Sequence, residues 1–386
     1  MAVPIRYNIR NLKLRKGQTC MTILGVALTV AAVMFLAALR AGLNRAFVHT
    51  GDPLNVLVLG KGADSEIASD IPHEALQILR TLPGIATNSK GEPLVSGELV
   101  LVILLPREDG LSEANVTLRG TSAQGIELRP GARLVRGRWF NPGQRELAVG
   151  AALQKRFART AIGESVQFGK GPWKIVGVFD ASGSAYDSEI WSDVNQITSD
   201  YTTAQPSSVY MRATDSAAAD ALKHRVSDDQ RLQLDGMLET EYYAEQTKSG
   251  APIKFVGLTV AIIMGIGSCF AAMNTMFAAV ANRRREIGTL RVLGFSRASI
   301  LASFVLESLL IVVIATALAI LVVMPFNGIM TGTSNAATFS EVVFTLQMTP
   351  SVMGTALLFG LIMGLTGGFV PAWRAAHQSI VGALRA

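Results

Sequence analysis

The chain has 386 residues, 49% of them hydrophobic and 17% charged, with a mean hydropathy of +0.35. That is too apolar for an ordinary soluble protein of this length and calls for a lipid environment. The formal net charge of +6 invites a nucleic-acid partner, but the basic residues lie beside the apolar runs, so the pI reports membrane topology and no nucleic-acid role is assigned.

Residues 1–18 carry Arg6, Arg10, Lys13, Arg15 and Lys16, and Ile5, Ile9 and Leu12 are spaced to share one helical face. The segment is either an amphipathic helix on the inner membrane surface or a charged flank. The uncharged run TCMTILGVALTVAAVMFLAAL, 19–39, is long enough to cross a ~30 Å hydrocarbon core at ~1.5 Å per residue, and gives a first span over 19–40. Its 21 uncharged residues exceed the apolar core of a cleaved leader, and no clean small-x-small cleavage site follows it before Arg40, so it is read as a retained span.

From 41 to 252 the periodicity changes. Strands are predicted at 55–60 (NVLVLG), 98–105, 115–121, 133–139, 165–168, 173–179 and 208–213, and helices at 73–82, 151–158 and 216–226. Strands interrupted by isolated helices and Gly/Pro turns indicate a mixed α+β domain. Both cysteines, Cys20 and Cys269, fall in apolar runs, so this domain holds together without disulfides. The stretch 234–255 meets few turn signals and is read as an upward continuation of the second span.

That span is predicted over 253–282, with Gly257, Ala261 and Gly265 four apart and Cys269 continuing the row. The connecting segment 283–299 follows, opening on Arg283, Arg284 and Arg285. In it Ile287, Leu290, Val292 and Leu293 form an apolar face beside a basic one, which suits either a helix offered to a cytoplasmic partner or a loop whose arginines anchor to lipid headgroups. The third span, 300–325, contains Glu307, whose charge at mid-membrane costs ~2.5–3.5 kcal/mol. It must face other helices or water, as a substrate or proton site or as the hydrogen-bond partner of Asn274, Thr316 or backbone. A short loop, 326–350, has no Lys or Arg; the fourth span, 351–371, has Gly360, Gly364 and Gly368 four apart, and the tail 372–386 carries Arg374 and Arg385. Such small-residue rows allow close helix approach, within one chain or between two copies. The charge asymmetry places both termini and 283–299 in the cytoplasm and 41–252 outside.

The fold class expected is therefore four transmembrane α-helices in a one-plus-three arrangement, with a large α+β extracytoplasmic domain between the first and second. Chemistry-bearing motifs are absent from the sequence. The nearest approach to a phosphate loop, GESVQFGKG at 163–171, has Phe168 where the second Gly belongs and no Ser or Thr after Lys170. The four histidines, His49, His73, His224 and His377, have no second ligand at metal spacing.

RRREIGTLRVLGFSRASILASFVLESLL resembles the cytoplasmic coupling segment of the FtsX-like permease domain in the MacB, LolC/LolE and BceB families of ABC transporters, and PAWRAAHQSIVGALRA resembles that domain's end. LRGTSAQGIELRPGARLVRGRWF, ELAVGAALQKRFA and GESVQFGKGPWKIVGVFD are similar to the periplasmic core domain of MacB-type permeases. The resemblance implies a permease of the bacterial inner membrane that works by mechanotransmission, with Glu286, Ile287, Leu290, Arg291, Leu293 and Gly294 coupling it to an ABC ATPase. MacB itself carries its ATPase at its N-terminus, whereas this sequence begins close to the first span, so a separate ATPase subunit binding ATP and Mg is implied, with no cofactor on this chain. A second permease copy, a periplasmic adaptor or membrane-fusion protein and an outer-membrane channel are the further partners implied. The cargo stays open, and a regulator or sensor signalling to a periplasmic partner without transport is the alternative.

Overall fold

Helix α1 (Lys16–Val48) runs past Arg40, where the sequence places the end of the first span. The weakest helix former between 40 and 48 is Gly42, which does not break the helix and is required by its surroundings: a Cβ there would overlap the carbonyl oxygen of Thr345. The computed structural model describes residues 16–110, 112–201, 205–248, 251–335 and 338–378. Residues 1–15 of the basic lead-in and 379–386 of the tail lie outside them. The chain divides into two compact units: Gly42–Pro252 with Ile329–Thr345, and the described parts of Met1–Ala41, Ile253–Gly328 and Leu346–Ala386.

In the first of these, strand alternation sorts the core. Along β1 (Asn55–Gly60), Val56 and Val58 join one apolar cluster while Leu57 and Leu59 join another, because successive strand residues point to opposite faces. α2 (His73–Leu79) follows, then β2 (Val95–Pro106), β3 (Glu113–Thr121), α3 (Ala123–Glu127), β4 (Arg133–Gly137), β5 (Glu146–Gly150), α4 (Ala151–Gln154), β6 (Ser165–Phe168), β7 (Gly171–Asp180) and β8 (Glu189–Asp193). α5 (Val194–Tyr201), β9 (Ser208–Arg212), α6 (Ser216–Asp228), β10 (Leu234–Leu238) and α7 (Glu239–Lys248) complete the run. The strands form one mixed sheet in the order β10-β1-β9-β2-β3-β8-β5-β7-β4, with β6 paired to β7. β3–β8 and β5–β7 are its parallel pairs. α2 and α6 cover Val56, Val58, Val95, Val209 and Met211 on one face. On the other, Trp191, Tyr210, Phe179, Tyr186 and Tyr243 pack together with Phe47 from the end of α1.

Two segments differ from the sequence expectation. The stretch read as a continuous stalk is split into β10, α7 and the start of the next long helix, because Gly236 lets the strand lie against Lys223 and Val226 of α6. The segment read as a short loop after the third span is a β-hairpin, β11 (Met330–Ser334) and β12 (Glu341–Thr345), paired from Met330↔Thr345 to Ser334↔Glu341. It belongs to the same compact unit as Gly42–Pro252; Val342, Val343 and Phe344 are buried in it.

The helical unit contains α8 (Ala251–Ala281), α9 (Arg284–Val292), α10 (Arg297–Val323) and α11 (Pro350–His377). With α1 it presents, among the described residues, four helices long and apolar enough to cross a membrane: Thr19–Val48, Phe255–Ala281, Arg297–Phe326 and Pro350–His377. Pro371 does not end α11 as its sequence position suggests; the helix loses one hydrogen bond there and continues for six residues. In the second of these spans only 6% of the most apolar stretch is buried, against 33%, 33% and 39% in the others, so α8 turns most of its surface away from its own bundle.

Candidate functional site

The connector between the second and third spans folds into α9, a short helix ended by a left-handed residue. Gly294 has φ 91°, a conformation that costs an L side chain roughly 1–2 kcal/mol. The Phe295 N–H donates to the Leu290 carbonyl at 3.1 Å and the Gly294 N–H to that of Arg291 at 3.2 Å, the two bonds of a Schellman stop. Two residues on, Ser296 caps α10 by accepting from the Ser299 N–H at 3.2 Å. The coupling residues expected from the sequence therefore sort by role. Ile287 and Gly288 face inward, Ile287 packing with Met276, Val280, Ile300, Phe304 and Ala372. Glu286, Val292, Leu293 and Gly294 are exposed, and Leu290 and Arg291 are half-buried.

What holds this helix is an ion pair inside the bundle. Arg283, the residue before α9, donates from Nη1 to Glu307 Oε2 at 2.8 Å and from Nη2 to Oε1 at 3.2 Å, with the two side chains 6% and 5% exposed. Its guanidinium also stands 5.9 Å over the Phe304 ring. The partner of Glu307 is thus Arg283 rather than Asn274 or Thr316: Asn274 lies on an exposed face of α8, and the buried Thr316 Oγ1 has no hydrogen-bond partner. A fork-shaped, bidentate pair gives each buried charge a partner, offsetting the ~2.5–3.5 kcal/mol that an unpaired charge costs at mid-membrane. Sequence reasoning placed Arg283 with its neighbours as a topology signal, which concealed this role.

The glycine rows pack within the chain. A Cβ on Gly360 would stand 2.9 Å from Thr316 Oγ1, one on Gly364 2.6 Å from Val312, and one on Gly368 2.6 Å from Ser308 Cβ, so the row in α11 meets the row 308, 312, 316 in α10. Ser308 Oγ reaches across to the Gly364 carbonyl at 3.0 Å. In α8 the fit is looser, with Gly257 in ordinary contact with Leu36 and Gly265 against the Phe359 ring.

Residues 19–229 match the MacB-like periplasmic core domain family and 258–380 the FtsX-like permease C-terminal family. The chain belongs to the MacB/FtsX-like family of ABC permeases. Among similar proteins, a macrolide export ATP-binding/permease protein MacB from Rhodopseudomonas palustris is 24% identical over 94% of this chain and 57% of its own length. One from Paracoccus denitrificans is 24% identical over 100% of this chain and 59% of its own. The chain thus spans less than two thirds of these relatives. The crystal structure of the periplasmic region of MacB from Actinobacillus actinomycetemcomitans overlays 50% of the chain and 91% of that structure at 15% identity and a TM-score of 0.38. With its four apolar helices, this MacB/FtsX-like chain is a multi-pass protein of the inner membrane.

The MacB-like core domain contains a second buried charge site, which sequence reasoning missed. Arg119 on β3 uses all five of its donors: Nε and Nη2 on Glu189 (2.8 and 2.9 Å), Nη1 and Nη2 on Glu66 (2.7 and 3.0 Å), and Nη1 on Glu98 (2.9 Å). Arg129 grips Glu98 with both terminal nitrogens at 2.7 and 2.8 Å and lies 4.3 Å over the Tyr210 ring. Trp191 and Ser208 donate to the carboxylates that the arginines leave partly open. Burial alone raises the Glu98 carboxyl, but Arg129 and Arg119 overcome it and hold it below the usual carboxylate value. Next to this cluster Glu239, raised by burial, binds Tyr186 and takes the Asn55 amide at 2.8 Å and the Asp52 N–H at 2.9 Å. The available signal was a charge inside an apolar strand, Glu98 before LVLVILL and Arg119 after NVTL. Arg119, Glu98 and Glu189 stand on the central strands β3, β2 and β8, Glu66, Arg129 and Glu239 come from the segments around them, and all six are buried, so the cluster fixes strand positions instead of contacting solvent.

The phosphate-loop-like segment of this domain does not fit a nucleotide. Ser165–Phe168 pairs with Gly171–Asp180 in register Phe168↔Gly171, so Gly169 and Lys170 are the turn of a β-hairpin, and no helix N-terminus follows to meet a phosphate. Lys170 Nζ is bound to the Ser199 carbonyl at 2.6 Å. Among the described residues no group of three or more His, Cys, Asp or Glu side chains could hold a metal ion.

Proposed function

We propose that this chain is the permease subunit of a MacB-type transporter, coupling ATP hydrolysis by a separate ABC ATPase subunit to movements of the outer domain that export or extract a substrate. In this reading both termini and α9 are cytoplasmic, the 42–252 domain is periplasmic, and two permease copies act with two ATPases that bind ATP and Mg. The observation that carries it is α9 itself: anchored from behind by Ile287 and the Arg283–Glu307 pair, it exposes Leu293 (65%), Val292 (61%) and Glu286. An exposed apolar edge beside charges, held rigidly, suits a protein partner, and the ion pair makes any push on α9 a push on α10.

The chain's own residues supply position and stiffness. Arg283 keeps the start of α9 on α10, Gly294 sets the sharp turn, and the interlocked glycines of α11 make the third and fourth spans move together. Leu290→Asp and Arg291→Glu, introduced into the complex purified with its ATPase, are expected to leave basal hydrolysis measurable while abolishing the link between hydrolysis and transport. Unchanged coupled turnover in both variants would sink the assignment.

A further inference from the structure

The first span has an evident route into the outer domain, because α1 runs on to Val48 and its Phe47 is buried in the domain's core. The third and fourth spans have another. The hairpin β11–β12 is continuous with α10 at one end and α11 at the other, and it is stiff at its neck: the Gly328 N–H donates to the Leu346 carbonyl at 2.9 Å and the Met348 N–H to Asn327 Oδ1 at 2.9 Å. Its far end is built into the domain. Glu341, 4% exposed, is clamped between Arg107 and Arg156, which are 29% and 22% exposed. Arg156 Nη2 donates to Glu341 Oε1 at 2.8 Å, and Arg107 binds the same carboxylate with both terminal nitrogens. Thr117 Oγ1 donates to Ser340 Oγ at 2.8 Å, the Val343 N–H to Ser188 Oγ at 2.8 Å, and Asn335 Nδ2 to Gln246 Oε1 at 3.2 Å. These bonds reach β3, the turn before β8, and α7.

We infer that this hairpin is a second transmission arm, through which the third and fourth spans drive the outer domain, and that Glu341 is the positioning residue fastening it to Arg107 and Arg156. The inference rests on the coupling reading above and adds to it a path from the third and fourth spans that bypasses α1. A two-stranded ribbon closed at its neck transmits displacement instead of absorbing it. Its buried carboxylate, shared by two guanidiniums, resists withdrawal because separation leaves charges without partners. Two other features carry less. The cleft of about 610 Å³ beside Glu307 has its carboxylate already paired, and the groove of about 730 Å³ between Leu104 and Phe339 has no feature that selects an occupant.

The test is hydrogen exchange on the full chain in nanodiscs, with the ATPase that co-purifies from its native membranes, comparing nucleotide-free and vanadate-trapped states. The wild-type complex is expected to change protection in both α9 and the 42–252 domain. Glu341→Ala is expected to keep the change at α9 and to lose it where the hairpin grips the domain, around Thr117 and Ser188, while any part carried through α1 remains. Thr117→Cys with Ser340→Cys, oxidised in a background lacking Cys20 and Cys269, refastens the hairpin at the adjacent hydroxyl pair and restores the domain response to Glu341→Ala. A response around Thr117 and Ser188 that persists in Glu341→Ala, or that the disulfide fails to restore, overturns the inference and leaves the coupling reading standing. Absence of any nucleotide-dependent change at α9 in the wild type overturns that reading, and the inference with it.

Discussion

Two short connectors leave the third span, one from each end, and they are built oppositely. On the proposed orientation the inner one is α9, which buries only Ile287 and Gly288 and turns Val292 and Leu293 outward. The outer one, β11–β12, buries Val342, Val343 and Phe344 and ties its polar groups to the domain around it. A connector that hides its apolar residues has found its partner within the chain; one that displays them leaves a surface that the proposed function gives to another molecule. The difference shows internal fastening at one end of the helix and, on the proposed reading, leaves the other for external docking.

The comparison can be broken most sharply by removing an apolar side chain from each. Phe344→Ala in the outer connector creates a cavity and is expected to lower unfolding stability by about 3–5 kcal/mol. Leu293→Ala in the inner one is expected to stay within about 0.5 kcal/mol. Thermal or denaturant unfolding of both variants in detergent checks the contrast, and comparable losses would erase it.

A smaller effect sharpens the same point. Asp187 sits beside Ser188, whose hydroxyl receives the Val343 N–H of the outer connector. Burial pushes the Asp187 carboxyl up to about 6, against the N–H groups of Ala181 and Gly183, with Asp180 adding to the rise. A raised carboxyl means that the folded domain holds the proton more tightly than the unfolded chain. The stability it confers is therefore present below about pH 4 and lost as pH rises through about 6, by up to about 3 kcal/mol. Stability measured from pH 4 to 7 should fall in the wild type and be flatter in Asp187→Asn.

How much of this was legible in the sequence follows from the range of the interactions. The four spans and β1 were readable because length, apolarity and alternation are local properties. β8 (EIWSD) was not, since its polar residues are buried on a central strand and only Arg119, 70 residues away, makes Glu189 tolerable there. The outer hairpin looked like a loop because Glu341 finds Arg107 at a separation of 234 residues. The Arg283–Glu307 pair was not legible: an arginine at the mouth of a span reads first as a topology signal, and only the turn into α9 brings it back over Glu307.

The claim most in need of testing is that the exposed edge of α9 is where an ATPase docks. Photo-crosslinking from p-benzoyl-phenylalanine at position 293 in native membranes, followed by 8-azido-ATP labelling of the product, tests it directly. The account predicts a crosslinked protein that takes the nucleotide label. Crosslinks to lipid alone, or to a protein that does not bind ATP, would contradict it.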